Sequence, residues 1–358
     1  MAAQSKVTTP TPRERAIGCL LGGAIGDALG APIEFDSISE IRSQFGLNGL
    51  THFAPAYGRV GAITDDTQMT LFSAEGLIRA QARWADRGLV NMAWIVWRAY
   101  CRWLITQGGP DIEDADLGSA ESGWLITNEV LHSQRAPGTT CLSALESRRW
   151  GKPDDPINDS KGCGGVMRVA PAGIASPTDR AFTSGAEMAA ITHGHPSGYL
   201  AAGAFAVMIS EIMAGSDISH AVNGARAQLV EHPHSEETVS ALDAAVDLAA
   251  RGVPSPEDLE GLGGAWVAEE ALAIGVACAL VATDVRDGLV LAVNHGGDSD
   301  STGSITGNLL GARDGLAGLP PDLLSELEAR ELIEQVANDL ADVFIDDKKL
   351  PYERYPTY

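Results

Sequence analysis

Apolar residues recur at three- and four-residue spacing along most of the chain, while strict alternation is nearly absent. That periodicity marks helices with one buried face. It predicts helices over residues 13–29, 69–86, 90–106, 184–191, 199–213, 218–231, 236–251, 265–283, 285–294, 302–312 and 321–344, and another that starts near residue 122 and ends before Pro137. Residues 1–12 read as a disordered polar lead, 13–345 as one helical domain, and 346–358 as a tail along the surface. In the first helix Gly18, Gly22, Gly23 and Gly26 leave room for a close neighbour, and Pro32 ends it. Residues 35–62, with Gly46, Gly49, Pro55 and Gly58, read as loops, as do the acidic residues 107–120. Trp94, Trp97 and Trp103 form a helical stripe that reads as core. The expected fold is all-α, a single compact bundle of a dozen or so helices.

Composition agrees with close helix packing: 45% of residues are hydrophobic but only 6% aromatic, and Ala, Leu, Gly and Val carry most of the apolar content. The formal charge of −23 argues against a general basic surface for nucleic acid or anionic membrane, yet leaves a local anion pocket open. Cys19, Cys101, Cys141, Cys163 and Cys278 are scattered without a C-x-x-C pair, as free thiols of a reducing cytoplasm would be. The first fifteen residues lack the apolar core of a signal peptide, and the apolar run 16–35 is interrupted by Asp27. A cytoplasmic, monomeric protein is expected.

Two acidic clusters change the picture. ITDDTQMT places Asp65 and Asp66 between Thr64 and Thr67 at the start of an apolar helix, and HGGDSDST places Asp298 and Asp300 beside Ser299, Ser301 and Thr302 before a second one. Taken singly, an acidic pair at a helix start reads more often as a cap with a solvated neighbour. Two such clusters, each after a glycine-containing loop, read as halves of one site. Four carboxylates brought together repel unless cations neutralise them. With no cysteine or histidine partners at zinc spacing, the oxygen donors suit Mg²⁺, Mn²⁺ or Ca²⁺, and they suffice for two ions about 3.5–4 Å apart. Glu34, an acid in the apolar loop APIEF, is a further candidate. The glycine-rich stretch 151–173 reads either as a plain loop or as an anion cradle, since Gly162, Gly164 and Gly165 expose backbone N–H groups. In THGHPSGY, His193 is expected to hydrogen-bond within a pocket and His195 to be structural or exposed.

Together GCLLGGAIGDALGAPIEF, ITDDTQMT, SKGCGGVMRVAP with THGHPSGY, and NHGGDSDSTGSITGNLLGA resemble the ADP-ribosylglycohydrolases in order and spacing over residues 13–316. The resemblance implies an all-α orthogonal bundle around a binuclear Mg²⁺ or Mn²⁺ site at the floor of an ADP-ribose cleft. It implies metal ligation by Thr64, Asp65, Asp66, Asp298, Asp300 and Ser301, and catalysis by Glu34, Asp66 and Asp300. ADP-ribose is expected on Ser160, Lys161, Gly162, Gly164, Gly165 and His193. Cys163, Ser301 and Lys161 depart from the commoner residues of the pattern. The implied activity is hydrolysis of ADP-ribosylated protein side chains, with arginine as the leading linkage and free ADP-ribose as product. Serine-linked or O-acetyl ADP-ribose, or silent ADP-ribose binding, are the alternatives.

Overall fold

The computed structural model describes residues 9–112 and 122–357 of the chain. At its centre two helices from opposite ends of the sequence, α1 (Pro12–Gly30) and α14 (Ser299–Asp314), lie backbone to backbone. Gly18, Gly22 and Gly26 face Gly311, Gly307 and Gly303, and a Cβ added to any of the six would run into the partner's carbonyl oxygen. Four-residue spacing keeps each set on one face of its helix. Asn308 Nδ2 ties the seam by donating to the Cys19 carbonyl at 2.8 Å. A capping box from Thr11 and Glu14, with Pro12 at the first position, starts α1.

Around this pair pack α2 (Ile38–Phe45), α3 (Asp65–Arg87), α4 (Met92–Thr106), α5 (Thr139–Glu146), α6 (Ala170–Ala175), α7 (Thr178–Ala190), α8 (Pro196–Met213), α9 (Ile218–Leu229), α10 (Glu236–Ala249), α11 (Pro256–Glu260), α12 (Ala268–Val281), α13 (Val285–Val293), α15 (Pro321–Glu326) and α16 (Arg330–Phe344). Among the described residues the only strands are a two-residue hairpin, Pro55–Ala56 against Arg59–Val60. The all-α fold expected from the periodicity is the one observed. Among the described residues, the two helical stretches apolar and long enough to cross a membrane, Pro12–Ile33 and Pro196–Met213, are largely buried inside it.

Several elements differ from the sequence expectation. The helix expected between residue 122 and Pro137 does not form; two 3₁₀ turns, Leu125–Thr127 and Glu129–Leu131, stand there instead. Asn128 separates them in an extended conformation, its side-chain amide donating to the Trp124 and Leu125 carbonyls at 2.8 and 3.1 Å. Within the stretch read as loop, α2 forms on a Ser37–Glu40 capping box and buries only Ile38 and Ile41, too few apolar positions to show a period. The expected helix 321–344 is broken into α15 and α16, with Ala329 at φ 55° in the left-handed region just before α16. Trp97 and Trp103 are core, as the stripe implied, whereas Trp94 is partly buried. The tail sends Tyr355 inward, its hydroxyl 3.0 Å from Asp339 Oδ2. Residues 1–8 of the expected lead, 113–120 of the expected acidic loop and residue 121 lie outside the described residues.

Candidate active site

Both acidic clusters stand at helix N-termini. Thr64 caps α3 and Asp298 caps α14, each side chain accepting a backbone N–H, from Asp66 and from Ser301, at 3.3 Å. Asp65, Asp66 and Asp300 occupy the first turns that follow, where unpaired N–H groups and the helix dipole favour negative charge. Capping therefore explains Thr64 and Asp298. It leaves Asp65 and Asp66 unexplained, because they are not solvated: their exposures are 4% and 2%.

The glycine seam brings the two clusters together. At its end, a Cβ on Gly30 would collide with the Ser299 carbonyl and the Asp300 amide. The following 3₁₀ turn, Ala31–Ile33, then delivers Glu34 to the start of α14. Glu34, Asp298 and Asp300 offer carboxylate oxygens that all lie within 4.8 Å of one another. Asp65, Asp66 and Ser301 line the same cavity, of about 390 Å³, and Thr64 is fully buried as the cap of α3.

In the sequence Asp27 only interrupts an apolar run; in the fold it is the residue on which the T-D-D corner hangs. Fully buried, it accepts from Thr64 N at 3.0 and 3.1 Å, from Thr67 N at 3.1 Å and from the Thr67 hydroxyl. A lone acid in an otherwise uncharged run was the available signal. A second brace comes from the chain end: Glu328 accepts from Ile63 N at 3.1 Å and from Arg135 Nη1 at 2.6 Å, while Arg135 also donates to the Ile63 carbonyl at 2.8 Å. Asp65 N in turn donates to the Arg135 carbonyl at 3.2 Å.

Burial acts on all these carboxyls first, and mutual repulsion adds to it. Glu34 is pushed up to about 9 by burial, then by Asp298, Asp65 and Asp27. Burial raises Asp65, Asp66 and Asp300 well above the ordinary carboxylate range, with neighbouring carboxylates adding to the rise, and it raises Asp298 too, against hydrogen bonds that favour its charged form. Asp27, held by its donors, rises only to about 6. Glu34 Oε2 and Asp66 Oδ2 are buried without a hydrogen-bond partner. Unpartnered buried oxygens within a set of mutually repelling carboxylates are what a divalent-cation site requires.

The opposite wall comes from the glycine loop and His193. His193 is buried; its Nδ1 lies 2.8 Å from the Thr192 hydroxyl, to which Arg168 Nη2 donates at 2.6 Å. This relay favours the ring proton on Nε2, the nitrogen that faces Gly162 and Gly164. Burial, reinforced by Arg168, drives the ring down to about 3, so it stays neutral. Gly162, Cys163, Gly164 and His193 line the cavity with Thr139 and Thr140. Two of the loop's N–H groups are already committed: Gly162 donates to Ser160 Oγ at 3.3 Å and Cys163 to the Trp266 carbonyl at 3.2 Å. The Ser160 hydroxyl is 3.1 Å from that of Thr140. Gly165 packs beneath the loop against Ala189 and Gly198. Of the expected set Ser160, Lys161 and Gly165 do not line the cavity, and the Lys161 side chain turns into ion pairs with Glu237 and Glu269. His195 caps α8, accepting from Ser197 N at 3.2 Å. Cys163 reaches across the cavity, its thiol donating to Asp298 Oδ2 at 2.7 Å.

Fold and site together define an all-α protein whose acidic, cation-suited pocket is walled by a glycine loop and a neutral histidine. The ADP-ribosylglycohydrolase family model matches residues 8–349, and the chain belongs to that family. It is accordingly an enzyme, a hydrolase of glycosidic bonds to ADP-ribose. The chain is 28% identical over 341 residues to the ADP-ribosyl-[dinitrogen reductase] glycohydrolase of Rhodospirillum rubrum, covering 92% of this chain and 97% of that protein. It is 24% identical over 344 residues to the ADP-ribosylarginine hydrolase Tri1 of Pseudomonas putida (strain GB-1), covering 95% and 82%. Among solved structures, an ADP-ribosylglycohydrolase-related protein complex shares the fold with a TM-score of 0.64, at 24% identity, over 93% of this chain and 99% of that one.

Proposed function

We propose that the protein is a divalent-cation-dependent hydrolase that releases ADP-ribose from ADP-ribosylated protein side chains, with arginine as the linkage. The observation that carries this reading is the buried carboxylate cluster with its unpartnered Glu34 and Asp66 oxygens, facing the glycine loop and His193 across one cavity. Thr64, Asp65, Asp66, Asp298, Asp300 and Ser301 would hold two Mg²⁺ or Mn²⁺ ions. Bound there, the ions supply positive charge that holds ribose hydroxyls and acidifies a water.

The chain's own groups do the rest. Glu34 Oε2 and Asp66 Oδ2, free of protein partners, are available to orient that water or take its proton, with Asp300 beside them. His193 Nε2 and the glycine loop, with Ser160 in support, would hold the diphosphate, giving an anion local donors in a protein of net charge −23. Cleavage at the anomeric carbon develops positive charge on the sugar, which the surrounding carboxylates favour. A cationic guanidinium leaving group suits the same acidic surroundings, and one relative bears the name of an ADP-ribosylarginine hydrolase. The five cysteines, free of disulfides, support a cytoplasmic setting.

The test is release of ADP-ribose from arginine- and serine-linked substrates with Mg²⁺ or Mn²⁺ and again with EDTA. Metal-dependent release from the arginine linkage is expected. Release that persists in EDTA would remove the cation assignment.

A further inference from the structure

Two large aromatic side chains stand in solvent at the edge of the acidic cavity: Phe35 is 72% exposed and Trp266 46%. They stack on each other, with ring centroids 5.6 Å apart and planes inclined by 15°. Their placement is built rather than incidental. The loop that carries Trp266 is pinned by Glu270, which accepts from Gly264 N at 3.0 Å and Ala265 N at 3.2 Å, and it holds Ala265 at φ 63°, a conformation that a non-glycine residue adopts only under constraint. The Trp266 carbonyl accepts from Cys163 N at 3.2 Å, and the Cys163 thiol reaches Asp298 Oδ2 at 2.7 Å. Phe35 is joined to Glu34 by one peptide bond. Both rings are thus coupled through short links to the carboxylate end of the cavity, where the glycosidic bond would be broken.

We infer that Phe35 and Trp266 form a platform that selects a guanidinium leaving group. Aromatic faces attract cations through the ring quadrupole. A guanidinium is flat, delocalised and weakly hydrated, so it stacks on such faces where a hydroxyl leaving group gains nothing. Glu34, Asp298 and Asp300 line the same cavity as the two rings. This assignment rests on the arginine-linked reading above and names the residues that set it.

The test uses Phe35→Ala, Trp266→Ala and the conservative Trp266→Tyr, with two readouts. The first compares kcat/KM for arginine-linked substrate with the Kd of ADP-ribose, a ligand that lacks the leaving group. Each alanine variant is expected to lose about 2- to 30-fold in kcat/KM, the range of a cation–π contact of roughly 0.5–2 kcal/mol at 1.4 kcal/mol per decade. ADP-ribose affinity should be unchanged, and Trp266→Tyr should restore most of the loss. The second readout is agmatine binding to the ADP-ribose-loaded protein, which should weaken by the same factor of about 2 to 30 in the alanine variants. A parallel loss of ADP-ribose affinity would place the adenine on the rings and overturn the inference, as would unchanged arginine kinetics or Trp266-independent agmatine binding. If the wild type binds agmatine through Trp266 yet releases nothing from the arginine linkage, the arginine-linkage reading fails while the platform stands.

Discussion

Asp27→Ala tests how the first half of the site is held. The substitution removes the acceptor of two buried backbone N–H groups, those of Thr64 and Thr67, and of the Thr67 hydroxyl. The hydroxyl can turn to another acceptor; the two amides cannot. At about 1–3 kcal/mol for each buried donor left without a partner, the loss is about 2–6 kcal/mol. Relief of the buried charge, whose pKa burial raises to about 6, returns part of that. The remainder is a large share of a total stability of about 5–15 kcal/mol. Asp27→Asn keeps one acceptor oxygen but turns an NH₂ toward an N–H, so it should cost about 1–3 kcal/mol. Because Thr64 is the cap of α3 and Asp65 its first residue, cation affinity should fall with stability. Urea unfolding in EDTA and in Mg²⁺, with a Mg²⁺ titration of the folded protein, reads both quantities. An Asp27→Ala protein with wild-type midpoint in EDTA and wild-type Mg²⁺ affinity would refute the reasoning.

Asp66→Ala and Asp300→Ala should each abolish turnover, since no neighbour can replace the lost charge; full activity in either with Mg²⁺ present would sink the two-cation assignment. Without cations, stability should fall as pH rises from about 5 to about 9, because Glu34, raised to about 9 by burial and then Asp298, holds a proton in the folded state that the unfolded chain has released. Mg²⁺ should reverse that slope by taking the place of the protons, so melting curves across this range with and without EDTA should diverge most at the alkaline end. Gly307→Ala puts a Cβ against the Gly22 carbonyl, where neither backbone can yield, and should cost at least about 1–3 kcal/mol of overpacking in urea unfolding. A wild-type unfolding midpoint would mean that the seam is looser than it looks.

Helices with a clean apolar stripe were legible in the sequence, and so was the pairing of the T-D-D and D-S-D-S segments, because hydroxyl-flanked acids at two helix starts form a rare local pattern. Asp27 was not legible as a brace, since its function depends on donors 37 to 40 positions away. Glu328 was hidden for the same reason: its partners, Arg135 and Ile63, are far off in sequence. Lys161 shows the reverse case. The glycine loop placed it beside the cavity by sequence, but Glu237 and Glu269, from α10 and α12, draw its side chain into ion pairs. The break between α15 and α16 lies where Glu328 must turn inward to meet Arg135, a tertiary demand that overrides an unbroken apolar period.

The glycine seam also dictates when this enzyme can exist. Helix α1 needs α14, which begins about 270 residues later in the chain. At roughly 5–20 residues per second, a nascent α1 waits roughly 15–50 s for its partner. Through that interval an apolar helix of membrane-spanning composition has no face to bury against, which makes it a substrate for chaperones and a hazard for aggregation. Thr64, Asp65 and Asp66 likewise remain half a site until Asp298 and Asp300 arrive.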